Sequence, residues 1–176
     1  HPVAHSFPTR RSSDLFHRDI KPTNVMVDRH GCVRILDFGI AYLMNQESLT
    51  ITGALVGTPN YISPEQAEGK PVTAKSDVFS VGALCFECAT GAPPFDAEHS
   101  PAILYRIAHE PAPPALSMNP GLLHWVASLL DSCLSKSPED RPDVAECLEL
   151  IERRCKEDGL QLGRKRIAGY MDNPTQ

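Results

Sequence analysis

The sequence has no run of 18 or more apolar residues, so none of its segments reads as a membrane-spanning helix. It also lacks a surplus of basic charge. Its 17 Lys and Arg stand against 22 Asp and Glu, a net charge of −5 that gives no electrostatic footprint for a nucleic acid. Short basic clusters, Arg153-Arg154 and Arg164-Lys165-Arg166, read as solvated helix or tail. The six cysteines, at 32, 85, 88, 133, 147 and 155, show neither the spacing of a disulfide framework nor that of a zinc site. Cys85 and Cys88 do form a C-x-x-C, but within "VFSVGALCFECAT", which reads as a buried helix, so core packing is the expectation for both. Such cysteine usage suits a reducing compartment, and a cytoplasmic location is expected. Aromatic residues are scarce at 6%, and 16 prolines point to a loop-rich fold.

What is present divides into three zones. Residues 1–15, "HPVAHSFPTRRSSDL", show no apolar periodicity. From Phe16 to about Ile151 the chain is densely patterned, long enough for one domain with a sizeable core. Beyond Gly159 it becomes a polar tail. In the middle zone, Val25–Val27 and Val33–Leu36 flank a turn at Asp28–Gly31, which predicts a small β-hairpin. A long irregular stretch rich in Thr, Gly, Pro and Ser follows from Ala41 to Lys70. Helical patterns then cover Ser76–Thr90, Pro101–His109, Leu122–Leu134 and Asp143–Lys156. The expected fold is therefore mainly α, with one hairpin near its start.

The chemistry-bearing residues lie around that hairpin. Phosphoryl transfer calls for a carboxylate to take or orient a hydroxyl proton, a cation to neutralise the moving phosphoryl group, and hard oxygen ligands for a divalent metal. "HRDIKPTN" supplies Asp19, Lys21 and Asn24 within eight residues. Asp37 follows the hairpin and precedes Phe38-Gly39, where glycine permits a sharp turn. Asn24 and Asp37 could converge on one Mg²⁺.

"HRDIKPTN" matches the protein-kinase pattern H-R-D-L-x-x-x-N with Ile at the Leu position, and "DFG" follows at the expected distance. "GTPNYISPE" resembles the loop that ends in A-P-E, with Ser63 in place of Ala. From Phe16 to Glu157 the chain resembles the larger, mostly helical C-terminal lobe of a protein kinase, of the bacterial eukaryotic-like serine/threonine kind. That resemblance implies ATP and Mg²⁺ as cofactors and protein substrates bearing Ser or Thr hydroxyls. It implies Asp19 as catalytic base, Lys21 against the transferring phosphate, and Asn24 and Asp37 as metal ligands. Thr58 is implied near the catalytic Asp and Lys. Lys21, two positions after Asp19, is what serine/threonine kinases carry there.

Other implied roles are structural or regulatory. Glu65 would pair with Arg141, and Asp77 would accept backbone N–H bonds from the catalytic loop, while also suiting a helix N-terminus. His17 and Phe38 would pack in an internal stack. Thr50 and Thr52 sit where such kinases autophosphorylate, with Arg18 as the phosphate receiver. Dimerisation of the parent kinase is a further expectation.

No glycine precedes Gly31, no lysine precedes Lys21 and no glutamate precedes Glu47. A glycine-rich loop and a paired strand lysine and helix glutamate are thus missing upstream of Asp19, so an ATP-gripping N-terminal lobe is expected to be absent and this chain to be inactive alone. "TRRSSDL" is what a common sequencing-library adapter encodes in one frame, so residues 1–15 are expected to be a non-native segment, residues 16–157 the kinase lobe, and 158–176 the tail. A natural basic arm is the competing reading of the first segment. For the lobe, the competing reading is a kinase-like binding module without phosphotransfer.

Overall fold

The computed structural model describes residues 16–36 and 59–160. In the first of these stretches Asp28 reverses the chain. Its carboxylate accepts the backbone N–H groups of His30 at 2.8 Å and Cys32 at 3.0 Å. Strands β1 (Val25–Val27) and β2 (Val33–Ile35) then pair antiparallel, with Met26 opposite Arg34. Two strands this short bury too little to stand alone, and Met26, Val33 and Ile35 are exposed. The hairpin is fixed instead through its ends: the Leu36 N–H donates to the Asn24 carbonyl at 2.7 Å, and His17 Nε2 donates to the Leu36 carbonyl at 3.1 Å. A single 3-10 turn, Pro22–Asn24, leads into β1.

From Pro64 onward the described chain is helical. Helix α1 (Pro64–Ala67) starts at a capping box in which the Ser63 hydroxyl accepts from the Gln66 N–H, and Gln66 Oε1 accepts from the Ser63 N–H. Helix α2 (Ala74–Thr90) is capped by Thr73 in the same manner and stops at Gly91, whose φ of 83° a residue with a Cβ resists. Helices α3 (Ser100–His109), α4 (Ala115–Met118), α5 (His124–Cys133) and α6 (Val144–Glu157) complete the lobe.

The mainly helical class with one small hairpin is as expected, and the differences are local. Helix α2 begins two residues before the periodicity suggests, because Thr73 rather than a later residue supplies the cap. Helices α1 and α4 have only four residues each, too few to leave a periodic signal, and α1 lies inside the stretch read as irregular.

Phe79, Ala83 and Phe86 of α2 form the spine of the core, joined by Phe95, Ile103 and Ile107, and by Ala115, Ala127, Leu130 and Leu134 from the following segments. Phe79 and Phe86 have no exposed surface, and each buried ring is worth about 1.5–3 kcal/mol relative to an exposed one. Close approach of α2 to α5 requires Gly82: a Cβ there would lie 2.7 Å from the Cys133 Cβ.

One expectation is corrected here. "VFSVGALCFECAT" is not buried all round, since Cys85 and Cys88 are exposed. Together with Val81, also exposed, they form a stripe at helical spacing on α2 that no described element covers. No helix among the described residues is long and apolar enough to cross a membrane.

Candidate active site

The segment from His17 to Asn24 has little regular structure of its own, so its shape depends on anchors. The first is Asp77, in the first turn of α2. Its Oδ2 accepts the His17 N–H at 2.8 Å and its Oδ1 the Arg18 N–H at 2.9 Å. Arg18 holds a φ of 66°, the left-handed region, which costs a residue with a Cβ about 1–2 kcal/mol. Two charge-assisted bonds on adjacent amides are enough to hold it there. The second anchor is Gln66 of α1, whose Nε2 donates to the Arg18 carbonyl at 2.8 Å. The third is burial: His17 and Ile20 are in the interior.

Held in this way, the loop brings three of the expected residues together. Lys21 Nζ lies 2.9 Å from Asp19 Oδ2. Asn24 Nδ2 donates to the same oxygen at 2.9 Å and to the Asp19 carbonyl at 2.8 Å. The Asp19 and Lys21 side chains are 34% and 35% exposed, so the cluster opens onto solvent rather than being sealed in the core. Beside it is a shallow depression lined by Arg18, Asp19, Ile20, Lys21, Tyr61, Ile62 and Ser80. A carboxylate oriented by an amide and an ammonium, at the floor of an open depression, can hold a hydroxyl and accept its proton while the cation faces a developing negative charge.

Helix α1, which carries the Gln66 tether, is itself anchored. Arg141 is 2% exposed. Its guanidinium places all five N–H groups: two on Glu65, at 2.8 and 2.9 Å, and one each on the carbonyls of Ser135, Lys75 and Lys136. Ser76 Oγ donates to Glu65 at 2.5 Å. Burial favours the neutral form of Glu65, but the hydrogen bonds from Arg141 and Ser76 outweigh it and hold the carboxyl below its ordinary value. Across the depression, Tyr61 donates to Glu87 of α2 at 2.5 Å. Burial first, then the Glu87 carboxylate, drives the Tyr61 phenol well above its ordinary value, so it is a fixed donor.

Asp37, Phe38, Thr50, Thr52 and Thr58, as well as residues 1–15 and 161–176, lie outside the described residues. Asp19, Lys21, Asn24, Arg18, His17, Asp77, Glu65 and Arg141 are all placed, and form one connected network around the loop. Sequence reasoning missed Gln66 and the Tyr61–Glu87 pair. The S-x-x-Q spacing of Ser63 and Gln66 marks a capping box, but nothing local shows that the Gln66 nitrogen reaches Arg18, 48 residues away in sequence.

An H-R-D loop anchored to a helical lobe, with Asp, Lys and Asn converging at its mouth, defines a protein-kinase-like catalytic lobe. The chain belongs to the protein kinase family: the family's model, described as protein kinase domain, matches residues 9–150. It is similar to the probable serine/threonine-protein kinase of Corynebacterium efficiens, 37% identical over 162 residues, with 86% of this chain and 24% of that protein covered. Serine/threonine-protein kinase PrkC of Bacillus subtilis is 35% identical over 165 residues, covering 94% of this chain and 25% of that protein. Serine/threonine-protein kinase PknB of Mycobacterium tuberculosis is 38% identical over 134 residues, covering 74% and 21%. The chain thus spans about a quarter of the length of the curated relatives it matches.

Proposed function

We propose that this chain is the catalytic-loop lobe of a protein serine/threonine kinase that transfers the γ-phosphoryl group of ATP to Ser or Thr hydroxyls of protein substrates. The convergence of Lys21 and Asn24 on Asp19 Oδ2 carries the reading. Asp19 orients the acceptor hydroxyl and takes its proton, and Lys21 faces the charge that develops on the phosphoryl oxygens. Thr58 adds its hydroxyl to this pair. ATP with Mg²⁺ supplies the phosphoryl group when bound. Asn24 fits a metal role: its amide nitrogen is committed to Asp19, which leaves its one side-chain oxygen, a hard donor, as the atom for the cation. Asp37 is the second ligand in this proposal. Thr50 and Thr52 are the phosphorylation sites, with the Arg18 guanidinium as receiver. The protein works in the cytoplasm, and residues 16–157 form its kinase lobe.

The 176-residue chain carries no glycine-rich loop or strand lysine upstream of Asp19, so by itself it is expected to transfer no phosphate. The test is to recover the gene that encodes this chain, express the whole product, and assay transfer from γ-labelled ATP to a generic protein substrate. Label on Ser or Thr that disappears in Asp19→Asn supports the proposal. A product that lacks transfer while binding protein partners equally well with or without Asp19 would make it a kinase-like binding module instead.

A further inference from the structure

Gln66 uses both ends of its side-chain amide. Its Oε1 accepts the Ser63 N–H at 3.0 Å and the Ser63 hydroxyl at 3.1 Å. With two donors on the oxygen, the nitrogen faces the other way, and there Nε2 donates to the Arg18 carbonyl at 2.8 Å. A flipped amide would set donors against the Ser63 N–H and an oxygen against the Arg18 carbonyl, so the orientation is fixed by chemistry. Gln66 and Ser63 are both buried, and water competes poorly for either end. The base of the side chain is equally fixed, since the preceding residue, Glu65, is gripped by Arg141.

The Arg18 carbonyl belongs to the planar peptide unit that enters Asp19. The unit that leaves Asp19 is held through its own carbonyl, which accepts from Asn24 Nδ2 at 2.8 Å. Gln66 and Asn24 thus hold the planes on either side of the Asp19 Cα. Those planes set φ and ψ of Asp19, and with them the direction of its Cα–Cβ bond. Asp77 cannot substitute for Gln66, because it binds the amides of the two peptide units before this one. Among the described residues, Gln66 is the donor that reaches the Arg18 carbonyl.

We infer that Gln66 is a positioning residue for Asp19, aiming its carboxylate from α1 through the Arg18–Asp19 peptide. The consequence for phosphoryl transfer rests on the kinase reading above.

Two variants separate the two ends of the amide. Gln66→Glu keeps an acceptor for Ser63 but sets a second oxygen against the Arg18 carbonyl. Ser63→Ala removes one of the two donors to Oε1 and leaves the bond to Arg18 in place. In the isotope-labelled 176-residue chain, the side-chain NH2 resonances of Asn24 report its bonds to Asp19. Gln66→Glu should move them to the values of a free amide and speed their exchange by about 10-fold or more, while Ser63→Ala leaves both near wild type. In the whole gene product, Gln66→Glu should lower kcat by about 10- to 100-fold with KM for ATP changed by less than about twofold, and Ser63→Ala should retain kcat. An unmoved Asn24 signal in Gln66→Glu, equal disturbance in Ser63→Ala, or a rise in KM at unchanged kcat would overturn the inference. A wild-type gene product that transfers no phosphate would instead remove the kinase reading, and the Asn24 signal would still decide whether Gln66 aims Asp19. Should Gln66→Glu not fold, the wild-type chain decides: slow exchange of the Gln66 side-chain amide protons supports the tether, and exchange at the rate of a free glutamine overturns it.

Discussion

Asp77 accepts the Arg18 N–H at 2.9 Å while Arg18 sits at a φ of 66°, so a carboxylate on a helix holds a catalytic-loop residue in a conformation that its own sterics oppose. The second Asp77 oxygen takes the His17 N–H. The shape of the loop is therefore set from α2 rather than from within His17–Asn24.

Replacing Asp77 by Asn keeps the volume but removes the charge and one of the two acceptors. Each charge-assisted bond is worth about 1.5–3 kcal/mol, so amide exchange at His17 and Arg18 should quicken by about 10-fold or more, with little change at the core of α2. Hydrogen exchange read by mass or NMR checks this. Unchanged exchange at both amides would show that Gln66 and burial suffice to hold the loop.

The Glu65–Arg141 pair should make the lobe sensitive to acid. The folded-state value of Glu65 lies below its ordinary 4.5, with the hydrogen bonds from Arg141 and Ser76 outweighing the opposing effect of burial. The folded protein therefore binds that proton less readily than the unfolded chain. The contribution is fully present above about pH 4.5 and is lost as pH falls through the depressed value. Glu65→Gln should flatten this part of the stability profile in denaturant melts from pH 3 to 7. It should also cost about 3–5 kcal/mol near neutrality, since a buried guanidinium is left without its counter-charge. A parallel acid limb in wild type and variant would reject the assignment.

The elements legible in the sequence are those with a repeating local signal. Helices α3, α5 and α6 have apolar periodicity over ten or more residues, α2 is legible as a long apolar run, and the hairpin has two apolar segments around Asp28–Gly31. The catalytic cluster was legible because Asp19, Lys21 and Asn24 lie within one short loop. Contacts between distant segments left no such trace. The Gln66 tether, the Tyr61–Glu87 bond and the Lys136 contacts depend on how α1, α2 and α3 pack. The exposed stripe of Val81, Cys85 and Cys88 was hidden for a different reason: a helix apolar on all sides offers no periodicity from which an open face can be read.

Gly82→Ala tests the joint between α2 and α5. On an ordinary exposed helix the change would stabilise, because Ala is the better helix former by about 0.8–1 kcal/mol. Here the new Cβ would come 2.7 Å from the Cys133 Cβ, and the helices must part to admit it. Net destabilisation of about 1–3 kcal/mol is expected in urea melts. Adding Cys133→Ala should give no relief, because the contact is with a Cβ that alanine retains. Stabilisation by Gly82→Ala would show that the two helices have room between them.

Lys136 should act at the alkaline end. Its ammonium donates to the Ile107 carbonyl at 2.6 Å and lies 3.9 Å above the Phe95 ring, capping the last turn of α3. Burial, and after it the charge of Arg141, lowers its value from 10.5 to about 8. Below pH 8 both the folded and unfolded chains carry this proton, and the group adds no slope. Between about pH 8 and 10.5 the unfolded chain keeps a proton that the folded one has released, so stability should rise with pH through this group. Lys136→Met removes the titration while keeping an apolar stem against Phe95. Subtracting the variant's stability profile from that of the wild type cancels the other lysines and tyrosines, and the difference should climb across that window. A flat or falling difference would mean that the carbonyls and the ring hold the proton as firmly as water does.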